Sequence, residues 1–219
     1  MLDNRFFTND ACHVAKSLLG KVIRRKYNDH WLATQIIETE AYYLEDKASH
    51  SSLGYTEKRQ AMFMPPGTIY MYYARGADSL NISCGSEGDA VLIKSAIPYI
   101  DKKSGQKSLH LMQQLNLTKQ GKVRANAKLC AGQTLLCKAL HLKVNDWDKK
   151  NFSKDVFYIE DTGYIPEKII STTRLGIKPD RNAHLPYRFI DFQYTACCTS
   201  NPLTKRNLTE NIDYKILQL

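Results

Sequence analysis

The pattern of apolar and polar positions predicts a chain of mixed helices and strands. The first helix is predicted at residues 9–20, with Asn9 or Asp10 as its N-cap and Gly20 at its end. Two more helices are predicted at residues 109–117 and 129–140, strands at residues 21–26, 31–43, 70–73, 90–97, 156–159 and 186–193, and a loop from residue 203. Because the strands follow one another as hairpins rather than as βαβ units, we expect one α+β domain over residues 1–219. Its sheet should be mainly antiparallel, curved and flanked by helices.

The strand at residues 31–43 carries an unusual row of side chains. Residues two apart in a strand point to the same face, so Ile36, Glu38, Glu40 and Tyr42 are expected to share one face. A buried carboxylate is costly without a partner. Such a row therefore either meets basic groups or lines a wet cleft in which a carboxylate does chemistry. The alternative is an edge strand whose glutamates face solvent.

A second polar and aromatic group follows these glutamates. His50 lies beyond a polar turn, and Tyr70 and Tyr72 share one face of the strand that follows the Pro-Pro-Gly turn at residues 65–67. Together with a carboxylate, these side chains are expected to build an aromatic slot with an acid at its floor. Such a slot suits a planar heterocycle, since stacking a base on an aromatic ring is worth about 1–3 kcal/mol.

The charge of the chain indicates the kind of partner. Thirty-one Lys and Arg against twenty-two Asp and Glu give the 219 residues a net charge of +9. Residues 102–128 alone contain seven Lys or Arg and no Asp or Glu. This distribution favours a polyanionic partner, most simply nucleic acid. The alternative is a basic protein without such a partner.

The motifs of several other protein classes are missing from the sequence. It contains no Gly-x-x-x-x-Gly-Lys, Gly-x-Gly-x-x-Gly or Gly-x-Ser-x-Gly motif, and its six His lack His-x-x-x-His spacing. Its six Cys include no Cys-x-x-Cys pair, so we expect free thiols, with Cys197 and Cys198 as strand residues that line the core. Neither a signal-peptide core nor a long apolar run occurs. We therefore expect no membrane partner and an intracellular location, in the cytoplasm and nucleoid or in a eukaryotic nucleus.

The spacing of Glu38 and Glu40 suggests hydrolysis of a glycosidic bond. Two strand steps separate their backbones by about 6.5–7 Å, which is compatible with the acid and base of an inverting glycosidase. Two carboxylates this close would raise each other's pKa. We therefore expect that only one is catalytic and that the other is a structural partner of an Arg or Lys.

Six blocks of the sequence occur in an order that is typical of one family. They are I-I-E-T-E-A-Y at residues 36–42, M-F-M-P-P-G-T-I-Y at 62–70, N-I-S at 81–83, L-C-A-G-Q-T-L-L-C at 129–137, R-L-G-I at 174–177 and P-Y-R-F at 186–189. On these blocks the chain resembles the alkyladenine (3-methyladenine) DNA glycosylases of the animal and bacterial type. The resemblance covers residues 5–192, and the E-T-E-A-Y and P-G-T-x-Y blocks together are its most specific part.

The resemblance implies a role for each matching residue. Glu40 would be the general base that activates water, and Tyr42, His50 and Tyr72 would be the walls that hold a base flipped out of DNA. Asn81 would lie at the pocket rim, where it excludes wrongly substituted purines. Flipping is needed because a base cannot be attacked inside the stack. The N-glycosidic bond then breaks toward an oxocarbenium-like state, which an ionised Glu40 also stabilises.

The chain departs from the family pattern at positions that face the substrate. Arg75 stands where the family has an intercalating Tyr, and we expect it to enter the space that the flipped nucleotide leaves. Gly76 would let the backbone approach DNA closely. Lys94 stands where the family often has Arg beside the catalytic water. These departures concern lesion range and affinity rather than reaction type.

The helix that would face DNA departs from the pattern as well. The pair G-Q at residues 132–133 replaces a common Gly-Pro at its start, and Leu135 stands where a Lys is usual, which removes one phosphate contact. Thr134 is expected to contact DNA.

The sequence therefore predicts a monofunctional DNA N-glycosylase that acts as a monomer on damaged double-stranded DNA. It would excise alkylated purines and, if its lesion range is wider, deaminated purines as well. No metal, nucleotide or redox cofactor is expected. A lyase step is not expected, because it needs an amine nucleophile at the reacting carbon and the motif supplies a carboxylate. Two alternatives stay open: a non-catalytic binder of distorted DNA or structured RNA, and a small-molecule nucleoside hydrolase.

Overall fold

One antiparallel sheet organises the fold. The computed structural model describes residues 1–74 and 76–218, and these residues form nine strands of a single sheet. The strands are β1 (Val22–Tyr27), β2 (His30–Tyr42), β3 (Ile69–Ala74), β4 (Ala77–Ser83), β5 (Ala90–Pro98), β6 (Phe157–Glu160), β7 (Lys168–Thr172), β8 (Arg188–Asp191) and β9 (Tyr214–Gln218). Their order is β3-β4-β5-β2-β8-β7-β9, while β1 pairs with β2 and β6. The predicted α+β class is confirmed.

Short helices pack against this sheet. They are α1 (Ala11–Ser17), α2 (Gln106–Leu115), α3 (Asn126–Leu129), α4 (Gln133–Ala139) and α5 (Val144–Trp147), with 3-10 turns at Asn4–Thr8, Ser51–Leu53, Glu57–Phe63, Phe192–Cys197 and Pro202–Thr204. Asp10 caps α1, as predicted, because its carboxylate accepts a hydrogen bond from the backbone N–H of His13. The single helix predicted at residues 129–140 is wrong, since Gly132 has a φ of 111° and separates α3 from α4. None of the helices in the described ranges is long and apolar enough to cross a bilayer.

β2 is the central strand and holds both glutamates. Its first half pairs with β1 through a turn at Asn28 and Asp29, whose φ angles of 46° and 60° suit a tight hairpin. Its second half pairs with β8 along the same edge, and β5 pairs along the other edge. Glu38 and Glu40 are therefore covered on both sides, and both are 0% exposed. The alternative of an edge strand with glutamates in solvent is wrong.

A bulge in β2 changes the predicted faces of the strand. The register between β2 and β5 shifts on both sides of Glu38. A bulge inserts an extra residue into a strand, and this breaks the alternation of side chains between the two faces of the sheet. Ile36 consequently packs in the main core with α1, whereas Ile37 packs in a second, smaller core beneath the 3-10 turn Phe192–Cys197. Glu38 and Glu40 share one face of β2, as predicted. It is the face opposite α1. The prediction that Ile36 shares it is wrong.

The C-terminal segment contains structure that its sequence did not indicate. Its last strand, β9, pairs with β7 through five residue pairs, although the tail from residue 203 was expected to be loop. Both strands are five residues long, and each is stabilised by a partner distant in the chain, which local pattern cannot show. The prediction of strand residues at Cys197 and Cys198 is also wrong, because they lie at the end of a 3-10 turn; Cys198 is buried in the second core.

Candidate active site

One row of residues crosses the centre of the sheet. Tyr70 on β3 lies opposite Asn81 on β4, Asn81 opposite Leu92 on β5, Leu92 opposite Glu40 on β2, and Glu40 opposite Arg188 on β8. Residues in register on neighbouring strands project from the same face. The strand order therefore brings the glutamate motif and the tyrosine motif onto one surface, although they are about thirty residues apart in the chain.

A cavity of about 830 Å³ opens on this surface. Its lining includes every predicted substrate-binding residue, namely Tyr42, His50, Tyr72, Asn81 and Lys94, together with the predicted DNA contact Thr134. The lining also includes side chains to which the sequence gave no role, among them Gln133, Leu175 and Arg181. The volume is within the range of about 300–1,000 Å³ that is usual for pockets that bury a small organic ligand.

The aromatic walls of the cavity contact one another. The rings of Tyr70 and Tyr72 stack with centroids 5.6 Å apart, and the His50 ring meets the Tyr72 ring edge-on at 4.3 Å. His50 Nδ1 lies 2.8 Å from the Tyr70 hydroxyl, so a hydrogen bond fixes the orientation of the imidazole. The slot expected from the sequence is therefore already assembled by contacts among its own walls.

Burial determines the protonation of these walls. It lowers the pKa of His50 below 6.5, and the nearby guanidinium groups of Arg59 and Arg181 lower that pKa further. Burial also raises the pKa of Tyr42 and of Tyr72 above the ordinary tyrosine value. The imidazole is thus neutral and both phenols are protonated at neutral pH.

Glu40 lies behind this lining, and its two carboxylate oxygens have different surroundings. Its Oε2 accepts a 2.7 Å hydrogen bond from the Tyr42 hydroxyl, and its Oε1 lies 3.3 Å from Lys94 Nζ. Among the described residues, no group donates a hydrogen bond to Oε1. The carboxylate is consequently held by one oxygen, while the other faces a cation and can accept a further donor.

Glu38 differs from Glu40 in that both of its oxygens are occupied. Oε1 accepts hydrogen bonds from Arg188 Nε at 2.7 Å and Thr199 Oγ1 at 2.6 Å. Oε2 accepts from Ser95 Oγ at 2.5 Å and from the Thr199 backbone N–H at 3.1 Å. Glu38 is therefore the structural partner of an arginine, as the sequence led us to expect for one of the two glutamates.

The Glu38 network reaches the wall of the cavity. Ser95 Oγ donates to Glu38 and accepts a 3.0 Å hydrogen bond from the backbone N–H of Gly132, which immediately precedes α4. The first residues of α4, Gln133 to Leu135, line the cavity. One buried carboxylate thus holds the start of this helix against β5.

The guanidinium of Arg174 lies behind the Tyr42 wall of the cavity. No role for this residue was predicted from the sequence. Its Nη1 donates to the backbone carbonyl of Ala41 at 3.0 Å and also pairs with Asp46. The guanidinium carbon lies 4.5 Å from the centre of the Tyr42 ring, with its side chain 0% exposed. The R-L-G-I block was the available signal, but it does not show that the arginine stacks on a ring more than a hundred residues away.

One predicted DNA contact, Gly76, lies between β3 and β4. Arg75 lies outside the residues that the structure describes. Gly76 is exposed with a φ of 80°, and a Cβ added there would meet nothing within 4 Å. Its backbone is therefore accessible to solvent, and its approach to DNA stays a prediction.

We find no candidate metal centre in the described ranges, since no three His, Cys, Asp or Glu side chains there are grouped as ligands. The polar side chains of the lining are an amine, an imidazole, a guanidinium, aliphatic hydroxyls, phenols and amides. These are groups that bind an organic ligand.

Comparisons with known proteins agree with this geometry. Residues 5–194 match the methylpurine-DNA glycosylase (MPG) family. The chain is 56% identical, over 99% of its length and 93% of the relative's, to a protein of Pseudomonas fluorescens named "Putative 3-methyladenine DNA glycosylase". A protein of the same name from Carboxydothermus hydrogenoformans is 34% identical over 86% of this chain and 94% of its own. The chain therefore belongs to the methylpurine-DNA glycosylase family and is a DNA N-glycosylase, a DNA repair enzyme that hydrolyses N-glycosyl bonds.

Proposed function

We propose that this enzyme flips alkylated purines out of double-stranded DNA and cleaves their N-glycosidic bond with a water that Glu40 activates. The observation that carries the proposal is the free Oε1 of a fully buried carboxylate, 3.3 Å from Lys94 Nζ, behind a cavity with aromatic walls. The names of the relatives agree with an alkylated adenine as substrate.

In this proposal the two partners of Glu40 have separate tasks. The Tyr42 hydroxyl fixes Oε2, so that Oε1 is aimed at the attacking water. The ammonium of Lys94 lies 3.3 Å from Oε1, the oxygen that would take the proton from water as the general base. The negative charge of Glu40 also stabilises the oxocarbenium-like sugar as the bond to the base lengthens.

The state of His50 agrees with an alkylated purine as the leaving group. A purine that carries a positive charge leaves without being protonated, whereas a neutral purine needs an acid. His50 lines the cavity but is a weak proton donor at neutral pH, because its pKa is lowered. We therefore infer that cationic alkylated purines are excised faster than deaminated, neutral ones.

Asn81 is suited to select among purines. It is 4% exposed, and its Nδ2 donates to the backbone carbonyl of Tyr70 at 3.3 Å, which limits its movement. A fixed amide at the cavity rim excludes a purine with a substituent at that edge, because the displaced amide would lose its hydrogen bond.

We assign the contacts to the duplex to the cavity mouth and its surroundings. Thr134 lines the mouth, and the exposed Gly76 lets the β3–β4 turn approach the backbone of DNA. On the sequence alone, Arg75 is proposed as the side chain that fills the stack when the damaged nucleotide leaves. The enzyme would act as a monomer in the compartment that holds DNA, and the whole chain would form one glycosylase domain.

The test is to incubate the protein with duplexes that each carry one defined alkylated or deaminated purine. Strand cleavage after alkali and chromatography of the released base measure excision. The proposal predicts free base from alkylated purines in duplex DNA. Tight binding without any released base would instead indicate a non-catalytic DNA binder, and release from free nucleosides at the same rate would indicate a nucleoside hydrolase.

A further inference from the structure

Two arginines lie beside the His50 wall of the cavity without a carboxylate partner. Arg181 belongs to the cavity lining, and Arg59 follows an exposed turn after His50. Burial lowers the pKa of His50, and the charges of both guanidinium groups lower it further, so both lie near this ring. Within residues 1–74 and 76–218, no Asp or Glu forms an ion pair with either arginine. This side of the cavity therefore carries two positive charges that no described carboxylate neutralises.

Backbone carbonyls hold both guanidinium groups in place. Arg181 Nε donates to the carbonyl of Lys47 at 2.6 Å. Arg59 Nη1 donates to the carbonyls of Leu53 and Gly54 at 3.2 and 3.0 Å. Each arginine thus uses one nitrogen to hold the polar segment between β2 and β3, and its other two nitrogens donate to no acceptor in the described part of the chain. The remaining N–H donors are therefore available to a ligand.

Guanidinium groups with available donors suit a phosphate. Their donors form a planar fork that bonds two oxygens of one phosphate at once, and the group stays charged in proteins. A nucleotide that leaves the stack remains bonded to the phosphates on its two sides, so these phosphates move with it toward the pocket. The substrate itself therefore brings an anion to the side of the cavity where the two arginines lie.

We propose that Arg59 and Arg181 form a clamp on the phosphates that flank the flipped nucleotide. This inference rests on the proposed function of the cavity and names the part of the substrate that the two side chains bind. Both arginines are anchored to the segment that carries His50, so the phosphates reach them when the nucleotide enters the cavity. The clamp therefore stabilises the flipped state relative to the stacked one and offsets part of the cost of unstacking.

The test measures binding, so that it does not depend on base release. The probe is a duplex with a tetrahydrofuran residue in place of the damaged nucleotide, and an undamaged duplex is the comparison. Arg59→Gln and Arg181→Gln should each weaken binding of the probe by about 10–100-fold, the effect of losing a charged hydrogen bond. Each should also reduce the slope of log K against log salt by about 0.9. Binding of the undamaged duplex should stay the same. Arg5→Gln, at a side chain that is 91% exposed and paired with Asp3, is the matched control and should change neither.

A neutral methylphosphonate in place of each phosphate beside the tetrahydrofuran, one at a time, identifies the contact. In the wild-type protein, the neutral group should weaken binding at the clamped position. In the variant that lacks the matching arginine, the same change should have no further effect. A variant that only loosened the fold would not respond to the position of the neutral phosphate. Arg181→Lys keeps the charge without the fork, so it should bind the probe more weakly than the wild-type protein and more tightly than Arg181→Gln.

The clamp is overturned if the wild-type protein does not prefer the probe to the undamaged duplex, or if both glutamine variants bind the probe as tightly as the wild-type protein does. It is also overturned if the variants lose equal affinity for both duplexes, or if no methylphosphonate position removes their effect. Any of these results leaves the glycosylase proposal intact when alkylated purines are still released. Failure to release alkylated purines would overturn the glycosylase proposal and leave a positive binding result as it is.

Discussion

Glu38 and Glu40 lie two residues apart on one face of β2, and both are 0% exposed, yet their surroundings differ in one respect. Glu38 accepts four hydrogen bonds, from Arg188, Ser95 and Thr199, and has no oxygen left. Glu40 accepts one, from Tyr42, and keeps Oε1 beside Lys94. Equal burial is therefore combined with full hydrogen bonding at Glu38 and with an oxygen that accepts no hydrogen bond from the described residues at Glu40, and we propose that Glu40 is the reactive group.

The number of hydrogen-bond partners, rather than burial, is the difference between the two carboxylates, and we propose that it separates their roles. A buried charge with all its partners in place is stable and also inert, because every lone pair is used. A buried charge with an unused lone pair costs free energy, and such a cost is typical of a site that a ligand or water completes.

Glu40→Gln should have the largest effect on catalysis. The amide has the same shape but cannot accept a proton from water, so base release should slow by about 10²–10⁴-fold. The melting temperature should change little, since among the described residues the polar partners of this carboxylate are Tyr42 and Lys94 alone. Single-turnover release of base from an alkylated duplex measures the loss. A variant that unfolds instead would place Glu40 among the structural groups.

Glu38→Gln should have the largest effect on stability. The change leaves the Arg188 guanidinium buried without a charged partner, which costs about 3–5 kcal/mol when a buried pair is broken. Urea unfolding measures the loss. Glu160→Gln is a suitable comparison, since that carboxylate pairs with Arg24 but is 24% exposed, and Asp101 also pairs with Arg24. An equal loss from both changes would contradict the importance of the Glu38 network.

Arg174→Lys should have a moderate effect that reaches catalysis through Tyr42. Lysine keeps the charge beside Asp46 but loses the flat stack on the Tyr42 ring, a contact worth roughly 0.5–2 kcal/mol. We expect a lower melting temperature and slower single-turnover release, because Tyr42 would hold Glu40 less firmly. Arg5→Lys, at a side chain that is 91% exposed, is the matched control. A stability loss with an unchanged rate would make Arg174 purely structural.

His50→Gln should have the smallest effect, and that effect should depend on pH. The pKa of His50 is lower in the folded protein than its ordinary value of 6.5, so the unfolded chain binds a proton first as the pH falls. Stability from this group is therefore full above the unfolded pKa and is lost as the pH falls below it. Urea unfolding from about pH 7 to about pH 5 should show less acid destabilisation in the variant than in the wild-type protein. An identical pH dependence would show that His50 titrates normally.

The sequence predicted the central strands and the members of the cavity because these depend on local pattern and on motifs. The apolar run at residues 91–93, bounded by a Gly-Asp pair and a proline, indicated β5, and the E-T-E-A-Y block indicated Tyr42. The sequence did not predict the bulge at Glu38, since a bulge arises from pairing with two other strands. For the same reason it could not show that Thr199, in the C-terminal segment, would complete the partners of Glu38.

The residues alone left the roles within the glutamate pair open, and the family resemblance proposed Glu40 as the base. Both carboxylates lie in one motif, and spacing alone is compatible with either as the base. In the structure the partners of Glu38 distinguish the two, and these partners, Ser95, Arg188 and Thr199, lie more than fifty residues away along the chain.

The most direct test measures Glu38→Gln and Glu40→Gln side by side, at a temperature where both are folded and with protein in excess over an alkylated duplex. The single-turnover rate of base release is compared with the free energy of unfolding of each variant. We predict that Glu40→Gln releases base very slowly with near wild-type stability, and that Glu38→Gln loses stability but releases base at a far higher rate. Abolished release in a stable Glu38→Gln, with normal release by Glu40→Gln, would contradict the assignment of Glu40 as the general base.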